Sequence, residues 1–398
     1  MKVLVIAPEP FFTPRGTPFS VYYRTLITNK LGAQIDLLTY GEGADVAIPG
    51  LHIYRIPRFA GLGKVKVGPS FLKLFLDFFL ILYTLFLLIK NRYDVVHAHE
   101  EAIFFCRFLK PIFGFQLIYD MHSSLPQQLT NFQFSSSKIL IWLFKKLEDS
   151  CLKKADAVIT ICPDLADYVN SQIEDKDKHF LIENSIFESV QLAAPASPTH
   201  KKTTTAPGEE DLFPVQSPYV IYAGTLEPYQ GIDILVPAFA LFSEKKPDYR
   251  LLIVGGTPEQ VKKYSALASD YGINKICSFT GQVSQPEAKD LCSRADILVS
   301  PRSRGTNTPL KIYEQLASGI PLVATRIYSH TQVLNDSLAF LVDTTPEDMA
   351  NGLLEAATGQ STADKVKNAR KLYDEYYSQD RYIEKLRRLF DYLNKKKA

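Results

Sequence analysis

A chain of 398 residues, 46% hydrophobic and 22% charged, holds enough apolar sequence for two or three packed domains, which excludes a disordered chain. Its 45 basic and 43 acidic residues leave a formal net charge of +2, which gives no sign of a nucleic-acid binder. The five cysteines (Cys106, Cys151, Cys162, Cys277 and Cys292) are widely spaced, form no C-x-x-C, and read as reduced, mostly buried thiols of a cytoplasmic protein.

The first apolar run, Val3–Ala7, is too short for a signal peptide and lacks its cleavage pattern, so it reads as a buried parallel strand. Similar runs follow at Ile35–Thr39, Ile53–Ile56, Val95–Ala98, Gln116–Tyr119 and Ala157–Ile161, with helical patterns at Val21–Leu31 and Ile139–Lys153. This alternation predicts a doubly wound α/β domain over residues 1–188. Residues 189–217, rich in Pro, Ala, Ser, Thr and charge, read as a linker. A second alternation occupies 218–378, with strands at Tyr219–Gly224, Arg250–Gly255, Ile276–Thr280, Ile297–Ser300 and Pro321–Ala324, and a helix at Lys311–Ser318. Residues 379–398 close the chain as an amphipathic helix over Arg381–Lys397 with a basic end. Two α/β units joined by one linker leave a cleft, and ligands of such sheets bind at the C-terminal strand ends.

One stretch, Phe71–Ile89, is long and apolar enough to cross a bilayer. The strand that begins just after Asp94 is assigned to the same sheet as Val3–Ala7, and a span would put the two on opposite sides of the membrane. Two readings stay open. One is a buried core helix. The other is a helix lying on an anionic membrane surface, supported by Arg55, Arg58, Lys64, Lys66 and Lys73 with no acid among them.

Pro14-Arg15-Gly16-Thr17 follows the first strand, where a glycine lets backbone approach a ligand and a helix N-terminus offers N–H groups to an anion. His122 is expected at the C-terminal end of a strand, facing the cleft. His97 and His99 alternate on another strand, and two histidines without a third ligand make a poor metal site. Asp175-Lys176-Asp177 has the spacing of metal-diphosphate aspartates but lies in a charged, solvated run. The richest stretch is Ser300–Gly319: a strand end, a loop holding Arg302, Arg304, Thr306, Asn307 and Thr308, then a helix. Arginines, loop N–H groups and a helix N-terminus together form an anion site suited to a diphosphate. Lys311 and Glu314 share a face of that helix, where a carboxylate can accept sugar hydroxyls.

In order and spacing, the whole chain resembles the retaining, nucleotide-sugar-dependent glycosyltransferases of family 4, which have the GT-B fold. The match rests on the Gly16 loop, Asp94–His99, Ala155–Ile159, Tyr222–Leu226, Leu252–Gly256, Phe279–Gly281 and Glu314 through Pro321. The resemblance implies an N-terminal acceptor-binding and a C-terminal donor-binding domain, each Rossmann-like, with the last helix crossing back to the N-terminal one. It makes Glu314 the glutamate that holds the donor ribose and His122 a histidine near the reacting sugar. Gly16 would lie near donor phosphate and acceptor, with Arg15, Thr17, His99 and Glu100 on the acceptor side. Gly224 would sit in the donor turn, and Gly255, Gly256, Gln282 and Val283 would flank the base. Thr225 and Gln230 stand where the family usually has its phosphate-binding Arg and Lys, and Thr306 stands at the usual first glutamate.

From this follow a nucleotide-diphosphate sugar donor as co-substrate, no cofactor and no metal. The expected acceptor is lipid-linked or a saccharide, and the expected partner a membrane surface rather than nucleic acid. Either Arg302, Arg304 and Lys311 supply the missing positive charge, or donor turnover has been lost. An epimerase acting on nucleotide sugars would share the architecture, but no acid/base set poised on a sugar ring is evident.

Overall fold

The computed structural model describes residues 1–13, 16–59, 65, 70–124, 138–187, 190–193 and 218–397. The chain divides into two units, Met1–Pro195 with Gln379–Ala398, and Ala196–Ser378.

In the first unit the strands are β1 (Lys2–Ala7), β2 (Gln34–Thr39), β3 (Leu51–Arg55), β4 (Val95–His99), β5 (Gln116–Met121), β6 (Ala157–Thr160) and β7 (His179–Leu181). They pair in the order β3-β2-β1-β4-β5-β6-β7, every pair parallel. The central strands are buried on both faces, which is why they read as unbroken Val/Ile/Leu runs and not as alternation. One face carries α1 (Gly16–Lys30). The other carries α2 (Phe71–Lys90), α3 (Ile103–Phe113), α4 (Lys138–Lys154) and α5 (Pro163–Gln172). The three-residue β7 is too short to show in the sequence pattern.

α2 corrects the buried-core reading. It buries Leu76, Leu80, Thr84, Leu87 and Leu88, yet leaves Phe71, Leu74, Phe75, Phe78, Leu82, Phe86 and Ile89 exposed along its other side. The span reading fails for the reason given by the sequence: β3 before it and β4 after it belong to one sheet.

The second unit pairs β8 (Tyr219–Ala223), β9 (Arg250–Val254), β10 (Cys277–Gly281), β11 (Ile297–Ser300), β12 (Leu322–Thr325) and β13 (Phe340–Val342) in the order β10-β9-β8-β11-β12-β13, again all parallel. Around it lie α6 (Ile232–Lys245), α7 (Pro258–Asp270), α8 (Gln285–Ser293), α9 (Leu310–Ala317), α10 (Tyr328–Thr331), α11 (Pro346–Thr358) and α12 (Thr362–Leu372).

The chain then returns to the first unit as α13 (Gln379–Lys397), which buries Tyr382, Leu386, Leu389, Phe390 and Leu393 against the α1 side of the sheet. Gln116 Nε2 donates to Leu393 O at 2.7 Å, and Lys385 pairs with Glu183 at 2.5 Å. Asp175 accepts from Tyr392 Oη at 3.1 Å and Lys396 Nζ at 3.3 Å, so the Asp175-Lys176-Asp177 run serves helix docking. Of the predicted linker, residues 190–193 are described, and Leu192 bridges to Val46 in the first unit. Residues 189 and 194–217 lie outside the described residues.

Three aspartates just before strands fix the register of a neighbour. Asp94 accepts from Lys2 N at 2.9 Å, Asp156 from Leu117 N at 2.8 Å, and Asp296 from Tyr219 N at 2.9 Å. All five cysteines are free thiols, four of them buried.

Candidate functional site

Strand order reverses between β1 and β4 in one unit and between β8 and β11 in the other. Such switch points open a crevice at the C-terminal strand ends, where no connection crosses the sheet edge. The two richest polar clusters occupy these places.

In the second unit, β8 ends in a turn from Gly224 through the 3-10 turn Pro228–Gln230 to Gly231. Gly231 has φ 75°, and a Cβ there would strike the Pro301 carbonyl, so only glycine lets this turn lean on the loop after β11. Ser303 N completes the contact by donating to Tyr229 O at 2.9 Å. Gly255, at φ 114°, donates to Gly281 O at 2.8 Å and packs against the Gly224 carbonyl, with Gly256 beside Leu226. Gln282 is exposed and Val283 half-buried at the end of β10.

Arg302 turns into its own loop. It donates from Nε to Arg304 O at 2.9 Å and from Nη1 to Asn307 O at 3.2 Å, with its guanidinium 5.3 Å from the Tyr229 ring centre. Arg304 is exposed, and the carbonyl of Thr306 accepts from Gln332 Nε2 at 2.5 Å. Lys311 stands in the first turn of α9, its Nζ 4.0 Å above the Tyr222 ring. That nitrogen is buried without a hydrogen-bond partner among the described residues, as is Thr308 Oγ1. Burial, then the charge of Arg302, pushes the Lys311 amine down to about 7. One turn on, burial pushes the Glu314 carboxyl up to about 7. Thr225 Oγ1 accepts from Gln230 Nε2 at 3.4 Å, so the two uncharged replacements bond to each other.

His330, which the sequence did not single out, holds the floor of this loop. Its Nδ1 donates to Thr325 O at 2.8 Å, leaving Nε2 to accept from Ser300 Oγ at 3.0 Å, and burial pushes it down to about 4. The uncharged ring ties the ends of β11 and β12 together.

In the first unit the register sets His99 opposite Asp120. Asp120 Oδ2 meets Arg24 Nε at 2.5 Å and His97 Nε2 at 2.9 Å, while Oδ1 lies 3.2 Å from His122 Nε2. His99 Nδ1 is 3.1 Å from His122 Nε2, and its ring stacks on His97 with centres 4.5 Å apart. All five side chains are buried. Burial would raise the Asp120 carboxyl, but Arg24, His99 and His122 outweigh it and hold it well below the usual range. Burial lowers His97 and takes His99 well below its ordinary value. His99 Nε2 has no hydrogen-bond partner among the described residues. Beyond it, Glu100 takes φ 49°, a strained setting for a side-chain-bearing residue, and accepts from Ser123 Oγ at 3.1 Å.

His97, His99 and Asp120 place three ligand atoms within 4.8 Å of one another. A divalent cation there would face the Arg24 guanidinium that already holds Asp120, so the donor set fits a charge network better than a metal centre. Gly16 and Thr17 begin α1, the helix that also carries Arg24, and Arg15 lies outside the described residues. The structure thus gathers His99, Glu100 and His122 at the ends of β4 and β5, and Gly224, Thr225, Gln230, Arg302 and Lys311 at the ends of β8 and β11.

Residues 27–184 match the glycosyl transferase 4-like domain, and residues 209–372 match the glycosyl transferases group 1 model. The chain belongs to this glycosyltransferase family. A D-inositol 3-phosphate glycosyltransferase from Xylanimonas cellulosilytica is 27% identical over 201 residues, 49% of this chain and 47% of that one. The chain thus spans about half the length of the curated relatives it matches. Sucrose-phosphate synthase from Thermosynechococcus elongatus superposes with TM-score 0.75 at 19% identity, covering 99% of both chains. Anabaena HepE in complex with UDP gives 0.70 at 15%, over 98% of this chain and 100% of that one. These likenesses show that the chain has the GT-B fold.

Proposed function

We propose that this glycosyltransferase moves a sugar from a nucleoside-diphosphate donor to an acceptor hydroxyl with retention of configuration. Lys311 carries the reading: a buried amine without a hydrogen-bond partner among the described residues, beside Arg302 and at the start of a helix, is poised for an anion. A diphosphate arriving there restores the charge that burial suppresses. Breakage of the bond between the anomeric carbon and the diphosphate leaves negative charge on that group, which Lys311, Arg304 and the loop N–H groups stabilise. The acceptor oxygen bonds to the same face of the sugar, and its proton passes to the departing phosphate. These cations take the place of a metal ion. Glu314 accepts the ribose hydroxyls, while Gly255, Gly256, Gln282 and Val283 border the base.

On the first unit, the Asp120 network orients His122 on the acceptor side with His99 and Glu100, and Gly16 and Thr17 contribute backbone from the first turn of α1, with Arg15 assigned to the same side. Nucleotide sugars place the reaction in the cytoplasm, on a lipid-linked or saccharide acceptor of glycolipid or polysaccharide synthesis. The test is calorimetric titration of UDP, GDP and ADP into wild type and Glu314→Ala. Selective binding of one nucleotide, weakened in the variant, supports the reading, and silence from all three sinks it. The Thr225–Gln230 bond favours one second reading, a nucleotide-sugar binder without turnover, which donor-hydrolysis assays separate from a transferase.

A further inference from the structure

The first unit carries an apolar surface that its own fold leaves uncovered. On α2, Phe71, Leu74, Phe78, Leu82, Phe86 and Ile89 form one stripe, each between 48% and 81% exposed. On the same side of the sheet, α3 exposes Phe108 and Ile112, and α4 exposes Trp142 and Leu143. Moving one such side chain from water into an apolar medium is worth about 1.5–3 kcal/mol, so this stripe is a standing cost in water.

Cations sit beside the exposed rings. Lys90 Nζ is 5.7 Å from the Phe86 ring centre, the Arg107 guanidinium 4.3 Å from Phe108, and Lys146 Nζ 5.7 Å from Trp142. The acids of these three helices are few. Asp77 accepts from Tyr40 Oη at 2.6 Å, Glu148 is buried against Ser124 and Tyr168, and the half-buried Asp149 is the one acid that shares a side of α4 with Trp142 and Lys146. The surface therefore combines an apolar stripe with charge that is mostly positive.

We propose that this face docks on an anionic lipid bilayer, with α2 lying in the interface plane and its Phe/Leu stripe immersed. Long cationic side chains beside aromatic rings keep their charge at headgroup level while the rings enter the apolar region. A second copy of the chain fits less well, because a symmetric pairing of this face would set its cations against one another. The docking stands independently of the donor reading, since every group it uses lies in the first unit.

Trp142 is the only tryptophan of the chain, and it reports from this face. The experiment mixes full-length protein with vesicles of phosphatidylcholine alone or with phosphatidylglycerol, and reads co-sedimentation and Trp142 emission. Wild type should partition onto the anionic vesicles with a blue shift, and Leu74→Glu/Phe78→Glu/Leu82→Glu should bind at least about tenfold more weakly. Lys90→Glu/Lys146→Glu, which leaves the apolar stripe intact, should also lose binding to anionic vesicles. Equal partition onto neutral vesicles overturns the proposal, as does triple-variant binding at wild-type strength. A solution dimer of the wild type that the triple variant dissolves, with no vesicle binding, overturns it in favour of self-association. UDP, GDP or ADP binding by both variants, measured alongside, keeps a failure here distinct from a failure of the donor site.

Discussion

Replacing Lys311 by methionine keeps most of the stem and removes the ammonium, which makes it the sharpest probe of the donor site. Burial brings this amine from 10.5 to about 7. At about 1.4 kcal/mol per pK unit that corresponds to a penalty of about 5 kcal/mol for holding the charge, and the half-open surroundings of the stem bring the expected effect to roughly 1–3 kcal/mol. Because the folded pKa lies below the unfolded one, the unfolded chain binds more protons between about pH 7 and 10.5, and stability rises with pH across that window. Lys311→Met should therefore be more stable than wild type at neutral pH, with the gap closing toward pH 10.5. Nucleotide binding should move the other way. A lost charge-assisted bond to phosphate costs about 1.5–3 kcal/mol, or roughly 10- to 150-fold in Kd. Wild-type affinity should weaken by up to about tenfold per unit above pH 7, where the nucleotide phosphate has finished titrating and the free amine is neutral. Calorimetry between pH 7 and 9 in buffers of differing ionisation enthalpy reads both the affinity and the proton taken up. A flat pH profile in the wild type, or unchanged affinity in Lys311→Met, refutes the assignment.

Asp120→Asn leaves Arg24 buried without its counter-charge and should cost about 3–5 kcal/mol in chemical denaturation, while UDP, GDP or ADP binding to the second unit stays intact. The low pKa of Asp120 also predicts that wild-type stability is lost as pH falls below about 4, a loss the variant should not share. Asp296→Ala removes one register bond to Tyr219 N and should cost about 1 kcal/mol in thermal melts, as expected for a structural motif. Leu389→Ala in α13 should cost about 2–5 kcal/mol, and amide exchange should quicken in β1 and β2 but not in β8 or β9.

The long buried strands were legible because a parallel sheet covered on both faces demands unbroken apolar runs. β7 and β13, at three residues each, carry no such signal. Which way α2 turns its surfaces was not legible, because an apolar helix reads the same whether sheet or water covers it; the packing of Leu80 and Leu87 decided it. The loop 301–309 and Lys311 could be found from residue types alone. That Arg302 would bind its own loop could not, since the contact depends on the loop folding back so that Gly305, whose Cβ would strike the guanidinium, lies against it. The Arg24–Asp120 pair was hidden for a different reason. His97, His99, Asp120 and His122 are spaced so that each pair shares a face, but only the β4–β5 register brings the pairs together, and Arg24 arrives from α1. A lone arginine inside the apolar stretch Ser20–Thr28 was the available hint. The Asp94 and Asp156 motifs that carry part of the family resemblance turn out to serve strand register, as Asp296 does in the second unit.

The placement of α13 bears on how the protein is made. The first unit is begun by residues that leave the ribosome early, yet Leu386, Leu389 and Leu393, which complete one side of its core, emerge only after the whole second unit. Until then β1, β2 and α1 have an apolar flank facing solvent, so the nascent first unit is a candidate client for chaperones while the second, contiguous in sequence, can finish folding by itself. A premature stop anywhere in the second unit would therefore damage the first, far from the missing residues in that unit's own strand order.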